Sequence, residues 1–416
     1  MSVDHKNVNK LILVAALGYF VDIYDLVLFG MERVSSLTDI LKSTTPESEL
    51  SLKVKEIGIS LMNWQMFGML VGGVFWGILG DKKGRLSVLF GSIFVYSIAN
   101  IFNGLIHDTT TYAILRFISG FGLAGELGAG ITLISESMSK EKRGIGATIV
   151  ASVGLFGAVV AGLVGNLIDN WRASYIIGGI MGLLLLFLRI GVLESGMFKQ
   201  VKESKVAKGN FLAIFQNKTR FTKFITIILV ALPVWYVMAI LITLCPEIMT
   251  SLGMTESPQN ARLAMTLAYA GITVGDVVSG LISQKLASRK KTLLLFLLLA
   301  ISFTCLYFTV AKSSSFAFYT VVVLIGFATG YWAVFISTAS ELFGTNLRAT
   351  VTTSVPNFVR GGTILINTLF LFLAKDLGLE NIKSAIIVGI VVFALSLWAW
   401  YKLEETFGKD LNYVEE

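Results

Sequence analysis

The stretch of sequence at 57–106 decides the fold. Residues 57–80 read IGISLMNWQMFGMLVGGVFWGILG and carry no charged side chain; DKKGR follows at 81–85, and the uncharged run LSVLFGSIFVYSIANIFNGLI begins at once at 86–106. About 20 apolar residues are enough for a helix to cross a bilayer. Because backbone amides in hydrocarbon must be paired within their own segment, the stretch predicts two membrane-spanning helices joined by a short charged loop.

The rest of the 416-residue chain repeats this pattern. Its composition is 55% hydrophobic and 15% charged, with a mean hydropathy of +0.76, which is too apolar for a water-soluble enzyme. The apolar segments predict spans at 10–34, 57–80, 86–106, 111–138, 144–168, 173–193, 221–250, 260–285, 292–311, 315–343, 348–374 and 382–402. We therefore predict an all-α integral membrane protein with twelve transmembrane helices.

The predicted spans fall into two groups of six. We expect an N-terminal half at 1–198, a basic cytoplasmic linker with a short amphipathic helix at 199–220, and a C-terminal half at 221–416. The halves resemble each other, because Ser-Glu followed by Arg occurs at the same spacing in both. Repeats of six helices are the architecture of transporters whose site lies between the halves.

The charge distribution predicts the orientation. The net charge is +7, from 34 basic and 27 acidic residues. About 23 basic residues fall in connections on the side of the N-terminus and about nine on the other side, which places both termini in the cytoplasm. The basic surplus is thus a topology signal and not a nucleic-acid site. Two cysteines and two histidines, all isolated, predict no metal, cofactor or disulfide framework.

The loop between the first two quoted runs carries a motif. Gly77, Asp81, Gly84 and Arg85 form a pattern that resembles the loop 2–3 signature of the major facilitator superfamily. An acidic group at a helix end beside basic groups can latch one face of the bundle through charge-assisted hydrogen bonds. The other predicted latch residues are Glu136, Arg143, Glu341 and Arg348.

Further motifs narrow the resemblance. RFISGFGLAGELGAG at 116–130 and LRIGVLESGMF at 188–198 resemble the metabolite:proton symporters. GYFVDIYDLVLFG at 18–30 contains a D-x-x-D like that of the aromatic-acid:proton symporters, and SVPNFVRGG at 354–362 resembles span 11 of the organic ion transporters. The resemblance implies a secondary transporter, functional as a monomer.

Ionisable residues occur at one depth in the predicted spans. At ~1.5 Å per residue, each lies about 15–22 Å from the cytoplasmic face; they are Asp22, Asp25, Glu126, Asp276 and Arg360. A charged group at mid-bilayer is costly and generally faces a cavity and a partner. The shared depth therefore predicts a polar central cavity.

The carboxylates of span 1 are candidates for proton coupling. Asp22 and Asp25 share a helix face because they are three residues apart, and their mutual repulsion opposes ionisation while a nearby arginine favours it. The resemblance implies that Arg116 is the partner of Asp25, with a static ion pair as the alternative. Glu126 is either a second proton site or a packing carboxyl group.

Arg360 is the candidate for substrate recognition. A guanidinium offers a rigid fork of donors suited to a carboxylate, and the resemblance associates a basic residue here with anionic substrates. The alternative is a structural salt bridge to Asp276. The other predicted cavity residues are Asn357, Gln65, Trp235, Tyr236 and Tyr331.

We therefore expect proton-coupled uptake of a small organic anion by alternating access, in a bacterial inner membrane. The nearest alternative is a proton-coupled symporter of neutral sugars, which shares the pairing of a span 1 Asp with a span 4 Arg. A second alternative is a drug/proton antiporter.

Overall fold

A computed structural model of the chain describes residues 5–83, 85–126, 143–194, 211–254, 258–310 and 313–409. Of the predicted latch residues, Gly84 and Glu136 lie outside these ranges, as do the side chains of Asp81, Arg85 and Arg143. Those predictions therefore stay predictions.

The described helices of the first half are α1 (His5–Leu41), α2 (Glu47–Lys83), α3 (Arg85–Asn103), α4 (Thr109–Leu123), α5 (Arg143–Ile168) and α6 (Trp171–Glu194). Those of the second half are α7 (Ala213–Gln216), α8 (Lys218–Tyr236), α9 (Cys245–Ser251), α10 (Pro258–Lys285), α11 (Arg289–Thr309), α12 (Ser315–Thr329), α13 (Trp332–Glu341), α14 (Thr345–Leu371) and α15 (Asn381–Lys402). Short π-helical segments extend α8 through Val237–Ile242 and α14 through Phe372–Asp376.

The helices confirm the predicted fold class. Within the described ranges, nine helical segments are long and apolar enough to cross a membrane, and two shorter apolar helices lie in α3 and α5. With α4, they account for the twelve predicted spans. The first two helices run well beyond their predicted spans of 10–34 and 57–80, because helix continues through polar residues that the apolar count left out.

Two spans of the second half are not continuous α-helices. Span 7 contains Pro233 and changes to π-helix at Val237. Span 10 is broken between α12 and α13, where Gly330 and Tyr331 leave helical geometry. At this break the Asp276 carboxylate accepts a hydrogen bond from the Ala333 N–H at 2.7 Å, so the side chain satisfies a free donor at the start of α13.

Glycine allows close helix packing where α2 crosses α4. A Cβ atom at Gly120 would collide with the backbone carbonyl of Gln65, and one at Gly68 would collide with that of Phe117. Small residues at such crossings let transmembrane backbones approach closely. This crossing fixes Gln65 and α4 at the centre of the first half.

Of the expected linker at 199–220, the structure describes 211–220. α7 is a single turn, and Ile214 within it is fully buried. The ring of Phe211 lies edge to face with that of Phe224 of α8 and tilted against that of Phe358 of α14. The segment thus packs onto the second half, because its aromatic and aliphatic side chains find a protein surface there.

Candidate functional site

The two span 1 carboxylates lie buried in the centre of the bundle. Asp22 and Asp25 on α1 have no solvent exposure; among the described residues none of their four oxygens has a partner in hydrogen-bonding geometry, although the side chain of Asn100 lies close to the Asp25 carboxylate. Asp25 faces α6, where a Cβ atom at Gly178 would lie 2.5 Å from its Oδ1. Buried carboxylates are ordinarily hydrogen-bonded. Because these two are not, they are free to exchange protons or partners.

Arg116 of α4 lies near Asp25 without touching it. The guanidinium packs 5.1 Å from the Phe29 ring centre and 5.7 Å from that of Tyr175. None of its N–H groups has a hydrogen-bond partner among the described residues, although Asp25 is within its electrostatic range. Arg116 and Asp25 are therefore buried neighbours without direct contact.

Arg360 of α14 is buried without a carboxylate partner in the part of the chain that the structure describes. Its side chain is 2% exposed, and its Cζ lies 6.0 Å from the ring centre of Trp235. The nearest acceptor is Oδ1 of Asn357, at 3.5 Å from Nη1. The expected alternative, a salt bridge to Asp276, is not formed, because Asp276 binds the start of α13 instead. Asp22 is within electrostatic range of Arg360.

The side chain of Asn357 already forms hydrogen bonds within the protein. Its side-chain amide donates to the Ala124 carbonyl at 2.9 Å and to the Thr353 carbonyl at 3.2 Å. The first of these bonds joins α14 to the C-terminal end of α4. Asn357 thus links the two halves beside Arg360.

Glu126 has a partner that the sequence analysis missed. Its carboxylate forms an ion pair with both terminal nitrogens of Arg189 on α6, one of them at 3.1 Å, and both side chains are at least 96% buried. Arg189 Nη1 also donates to the Leu89 carbonyl at 3.1 Å. This pair makes Glu126 a partnered carboxylate. Arg189 lies in the LRIGVLESGMF motif, and its charge inside a predicted span was the available signal.

A small cavity of about 30 Å³ lies between the halves. It is lined by Leu26, Val27, Phe29 and Gly30 of α1, by Met62, Gln65 and Met66 of α2, by Trp235, Met238, Ala239 and Thr243 of span 7 and its C-terminal end, and by Met265 and Tyr269 of α10. Gln65 Nε2 and Trp235 Nε1 have no hydrogen-bond partner. Two of the six predicted substrate contacts, Gln65 and Trp235, therefore line this cavity.

Two predicted substrate contacts, Tyr236 and Tyr331, form hydrogen bonds inside the second half. The hydroxyl of Tyr236 donates to the Ala385 carbonyl at 2.8 Å, and that of Tyr331 donates to the Val230 carbonyl at 3.1 Å. These bonds hold spans 7, 10 and 12 together inside the second half. Neighbouring aromatic residues on a helix face different ways, which is why Trp235 reaches the cavity and Tyr236 does not.

Ion pairs join the halves at the end of the bundle opposite the chain termini, which we call the far end. Arg33 of α1 contacts both carboxylate oxygens of Glu247 on α9 at 2.7 Å and donates to the Thr243 carbonyl at 3.1 Å. Arg33 is fully buried and Glu247 is 8% exposed. This pair connects span 1 to the loop after span 7.

In a second far-end ion pair the acidic residue belongs to the first half and the basic residue to the second. Arg262 of α10 contacts Glu32 of α1 at 2.8 Å and Asp169, beyond α5, at 2.8 Å. The hydroxyl of Ser174 also donates to Glu32 at 3.2 Å. With Lys375 bound to Glu56 at 2.8 Å, the far end is closed across the interface between the halves.

Polar contacts at the opposite end hold the second half together. Arg289 at the start of α11 contacts Glu341 at 3.2 Å, whereas Arg348 donates to the carbonyls of Ser340 and Phe343. Of the predicted latch residues, Glu341 thus pairs with Arg289 inside the second half. A Cβ atom at Gly77 would meet no other atom within 4 Å.

The segment after α15 binds this same region. Glu405 accepts hydrogen bonds from the Ser288 hydroxyl and from the backbone N–H of Arg289, the latter at 2.9 Å. Thr406 donates to Glu341 at 2.7 Å. We call residues 403–409 with these contacts the C-terminal clamp. Burial raises the pKa of Glu405, but these hydrogen bonds outweigh that effect and hold its pKa below the ordinary value.

Twelve spans in two halves with a cavity between them are the architecture of membrane transporters. The family model described as Major Facilitator Superfamily matches residues 15–366 and 227–413, and the chain belongs to that superfamily. It is a transporter and not an enzyme.

Curated relatives are transport proteins. The chain is 25% identical to a putative metabolite transport protein of Haemophilus influenzae, an alignment that covers 97% of this chain and 98% of the relative. It is 26% identical to a putative niacin/nicotinamide transporter of Bacillus subtilis, over 94% and 93% of the two chains, and 23% identical to a benzoate transport protein of Acinetobacter baylyi, over 82% and 78%. These likenesses are consistent with a multi-pass membrane transporter.

The solved structures to which it is similar have the same fold. The inward-open xylose transporter XylE of E. coli matches with a TM-score of 0.72 and 18% identity, over 97% of this chain and 98% of the other. At this identity the likeness establishes the fold alone.

Proposed function

We propose that the protein takes up a small organic anion, such as a carboxylate, together with protons. The observation that carries the proposal is Arg360, a buried cation at the interface of the halves with no carboxylate within ion-pair distance among the described residues. An unpaired cation inside the membrane is costly. A substrate carboxylate can supply its partner in a bidentate geometry that lysine cannot match.

The proton sites are the two carboxylates that lack partners. Asp25 lies in the field of Arg116 and Asp22 in that of Arg360. When Asp22 is ionised it competes with the substrate anion for Arg360, and when it is protonated Arg360 is free to bind. This competition couples proton binding to anion binding without direct contact between proton and substrate.

Names of relatives support the anion over the alternatives. Benzoate and niacin are carboxylates, and each belongs to the name of a protein similar to this chain, although the second name also includes the neutral nicotinamide. The neutral-sugar symporter is the second candidate, because solved structures of xylose symporters have the same fold. It requires a cavity rich in free hydrogen-bonding groups, whereas the described lining offers the unpartnered N–H groups of Gln65 and Trp235 and the hydroxyl of Tyr269.

The test is transport by proteoliposomes after a thermal-shift screen of mono-, di- and aromatic carboxylates, sugar acids and sugars. Arg360→Ala should lower carboxylate affinity at least about a hundredfold, because breaking a buried ion pair costs ~3–5 kcal/mol and each 1.4 kcal/mol is a factor of ten. Arg360→Lys should weaken binding less. Lys42→Ala, at an exposed pair at the C-terminal end of α1, is the control. Normal carboxylate affinity in folded Arg360→Ala would refute the anion and favour the sugar.

The orientation and the membrane belong to the same proposal. We infer from the basic residues that both termini face the cytoplasm of a bacterium, that the protein lies in the inner membrane and that a monomer suffices for transport. A reporter fused after Glu416 should be active only in the cytoplasm. Activity outside the cytoplasm would reverse the orientation and make the far end cytoplasmic.

A further inference from the structure

We infer that Phe29 of α1 links the cavity between the halves to the proton site, because it holds the Arg116 guanidinium away from the Asp25 carboxylate while the cavity is filled. This inference rests on the proposed function, which takes Asp25 as a proton site, and it adds a positioning residue to that site. The observation behind it is that the Phe29 ring has two different neighbours. It lines the cavity, and its centre lies 5.1 Å from the Cζ of Arg116.

Aromatic rings hold Arg116 in place of hydrogen bonds. Its Cζ lies 5.1 Å from the ring centre of Phe29 and 5.7 Å from that of Tyr175, and all three of its nitrogens lack a hydrogen-bond partner among the described residues. A cation over the face of an aromatic ring is attracted by the electrons of the ring, most strongly where water is excluded. Arg116 and Phe29 are both buried. The two rings therefore form a cage that sets the position of the positive charge.

One wall of this cage is fixed by hydrogen bonds. The hydroxyl groups of Tyr175 and Tyr112 lie 2.7 Å apart, and that of Tyr112 also lies 3.3 Å from the hydroxyl of Ser36. The Tyr112 ring packs edge to face with Phe29 at 5.7 Å between the centres. The Phe29 ring has no hydrogen-bonding group and borders the cavity. Phe29 is therefore the wall of the cage that can move.

Asp25 is the acidic group that Arg116 can reach when this wall moves. Asp25 and Phe29 are four residues apart on α1, so they share a helix face, and Arg116 is within electrostatic range of Asp25. When the Phe29 ring turns into the cavity, Arg116 loses one of its two ring contacts, and a direct ion pair with Asp25 replaces that contact. A neighbouring arginine favours the ionised form of a carboxyl group. Asp25 then releases its proton.

The size of the cavity decides when the ring can turn. The cavity measures about 30 Å³ in this structure, whereas a cavity that holds benzene measures about 150 Å³, so Phe29 has no room to leave Arg116. A bound substrate likewise fills the space beside the ring. Room appears only when the halves have separated and the substrate has left. Asp25 therefore keeps its proton while substrate is bound and loses it afterwards, which is the order that symport requires.

Infrared spectroscopy of the purified protein tests this inference without a substrate. The C=O stretch of the protonated Asp25 carboxyl group is the band that Asp25→Asn removes, and its loss with rising pH reports the release of the proton. Variants at Phe29 leave the other groups around Asp25 unchanged. Besides Arg116, these are Asp22 and Tyr24 on α1, Tyr96 and Asn100 on α3, and Gly178 on α6.

Phe29→Leu keeps an apolar side chain and removes the ring. We expect its Asp25 band to disappear at a pH at least about one unit lower than in the wild type, since a tenfold change, ~1.4 kcal/mol, is within what a desolvated contact between a cation and a ring contributes. Phe29→Tyr keeps the ring and should restore the wild-type titration. A trifluorinated phenylalanine at the same position keeps the shape and withdraws electrons from the ring face, so it should give an intermediate value.

The matched control is Phe318→Leu. Phe318 of α12 is fully buried against the rings of Tyr307 and Tyr319 in the second half, so its substitution should leave the titration of Asp25 unchanged. An Asp25 band lost at the same pH in the wild type, Phe29→Leu and the fluorinated protein would overturn this inference and leave the proposed function standing. A shift in Phe29→Leu alone would assign the effect to lost packing and would overturn it as well. Absence of the band at every pH in the wild type would overturn Asp25 as a proton site of the proposed function.

Discussion

Replacement of Arg33 by alanine should open the far end of the transporter. In the structure Arg33 is fully buried and makes two 2.7 Å contacts with Glu247, which is itself 8% exposed. Arg33→Ala leaves that carboxylate buried without a partner, which costs about 3–5 kcal/mol. The cost falls only on the state in which the far end is closed, because opening returns Glu247 to water.

The size of the effect follows from this difference. At 1.4 kcal/mol per factor of ten, the equilibrium between closed and open far ends should shift roughly 100- to 4000-fold towards the open state. Arg33→Ala/Glu247→Ala removes both charges, so the double variant should recover much of the closed population. Each transport cycle requires the far end to close, so transport by the single variant should slow while the open state predominates. Substrate can restore closure only to the extent that it binds the closed state more tightly.

Distances between spin labels across the far end measure this shift. His107 beyond α3 and Ser313 before α12 are exposed and lie in opposite halves, so both can be changed to cysteine after Cys245→Ala and Cys305→Ala. The Arg33→Ala protein should show a longer distance than the parent, whereas Lys42→Ala should not. An unchanged distance distribution in folded Arg33→Ala would show that the pair does not hold the far end closed.

Three further predictions concern the buried carboxylates and the C-terminal clamp. Asp25→Asn should abolish proton-driven accumulation in proteoliposomes and spare exchange of labelled for unlabelled substrate, since exchange moves no net proton; accumulation against a gradient would instead make Asp22 the coupling site. Arg189→Met should lower the free energy of unfolding by about 3–5 kcal/mol, because it leaves the buried Glu126 carboxylate without its partner. In thermal unfolding, Arg189→Met/Glu126→Gln should recover part of this loss. Equal thermal stability of the wild type and the single variant would show that the ion pair does not stabilise the protein. Because the folded-state pKa of Glu405 is lowered, its contribution to the stability of the C-terminal clamp is present above about pH 4.3 and is lost as the pH falls through the lowered pKa. Hydrogen-exchange protection at 403–409 should fall in that pH range, and Glu405→Gln should remove this pH dependence.

The number and type of spans could be predicted from the sequence because hydropathy is a local property. Each uncharged run, such as 86–106, has to be helical in hydrocarbon whatever its neighbours do. The lengths were less predictable: α1 reaches Leu41 and α2 begins at Glu47, because helix propagates into polar residues beyond the membrane.

The partners of charged residues could not be predicted in the same way. Glu32 binds Arg262 and Arg33 binds Glu247, at separations of 230 and 214 residues. Such pairs depend on how distant spans approach each other, which one sequence does not reveal. The charges of Glu32 and Arg33 lie inside the predicted span 10–34, but their sequence positions do not identify their partners. Burial at 0% exposure and opposite partners appear only once the halves are assembled.

The crosswise arrangement of the far-end pairs has a consequence for the membrane potential. Glu32 and Arg33 are neighbours on one half, and their partners Arg262 and Glu247 both belong to the other, so these four residues contribute one charge of each sign from each half. One elementary charge crossing 100 mV is worth ~2.3 kcal/mol, but a dyad with no net charge gains almost nothing when it moves. Separation of these two buried pairs is therefore nearly independent of voltage, whereas Asp169, Glu56 and Lys375 at the same end carry charges that are not balanced within their own half.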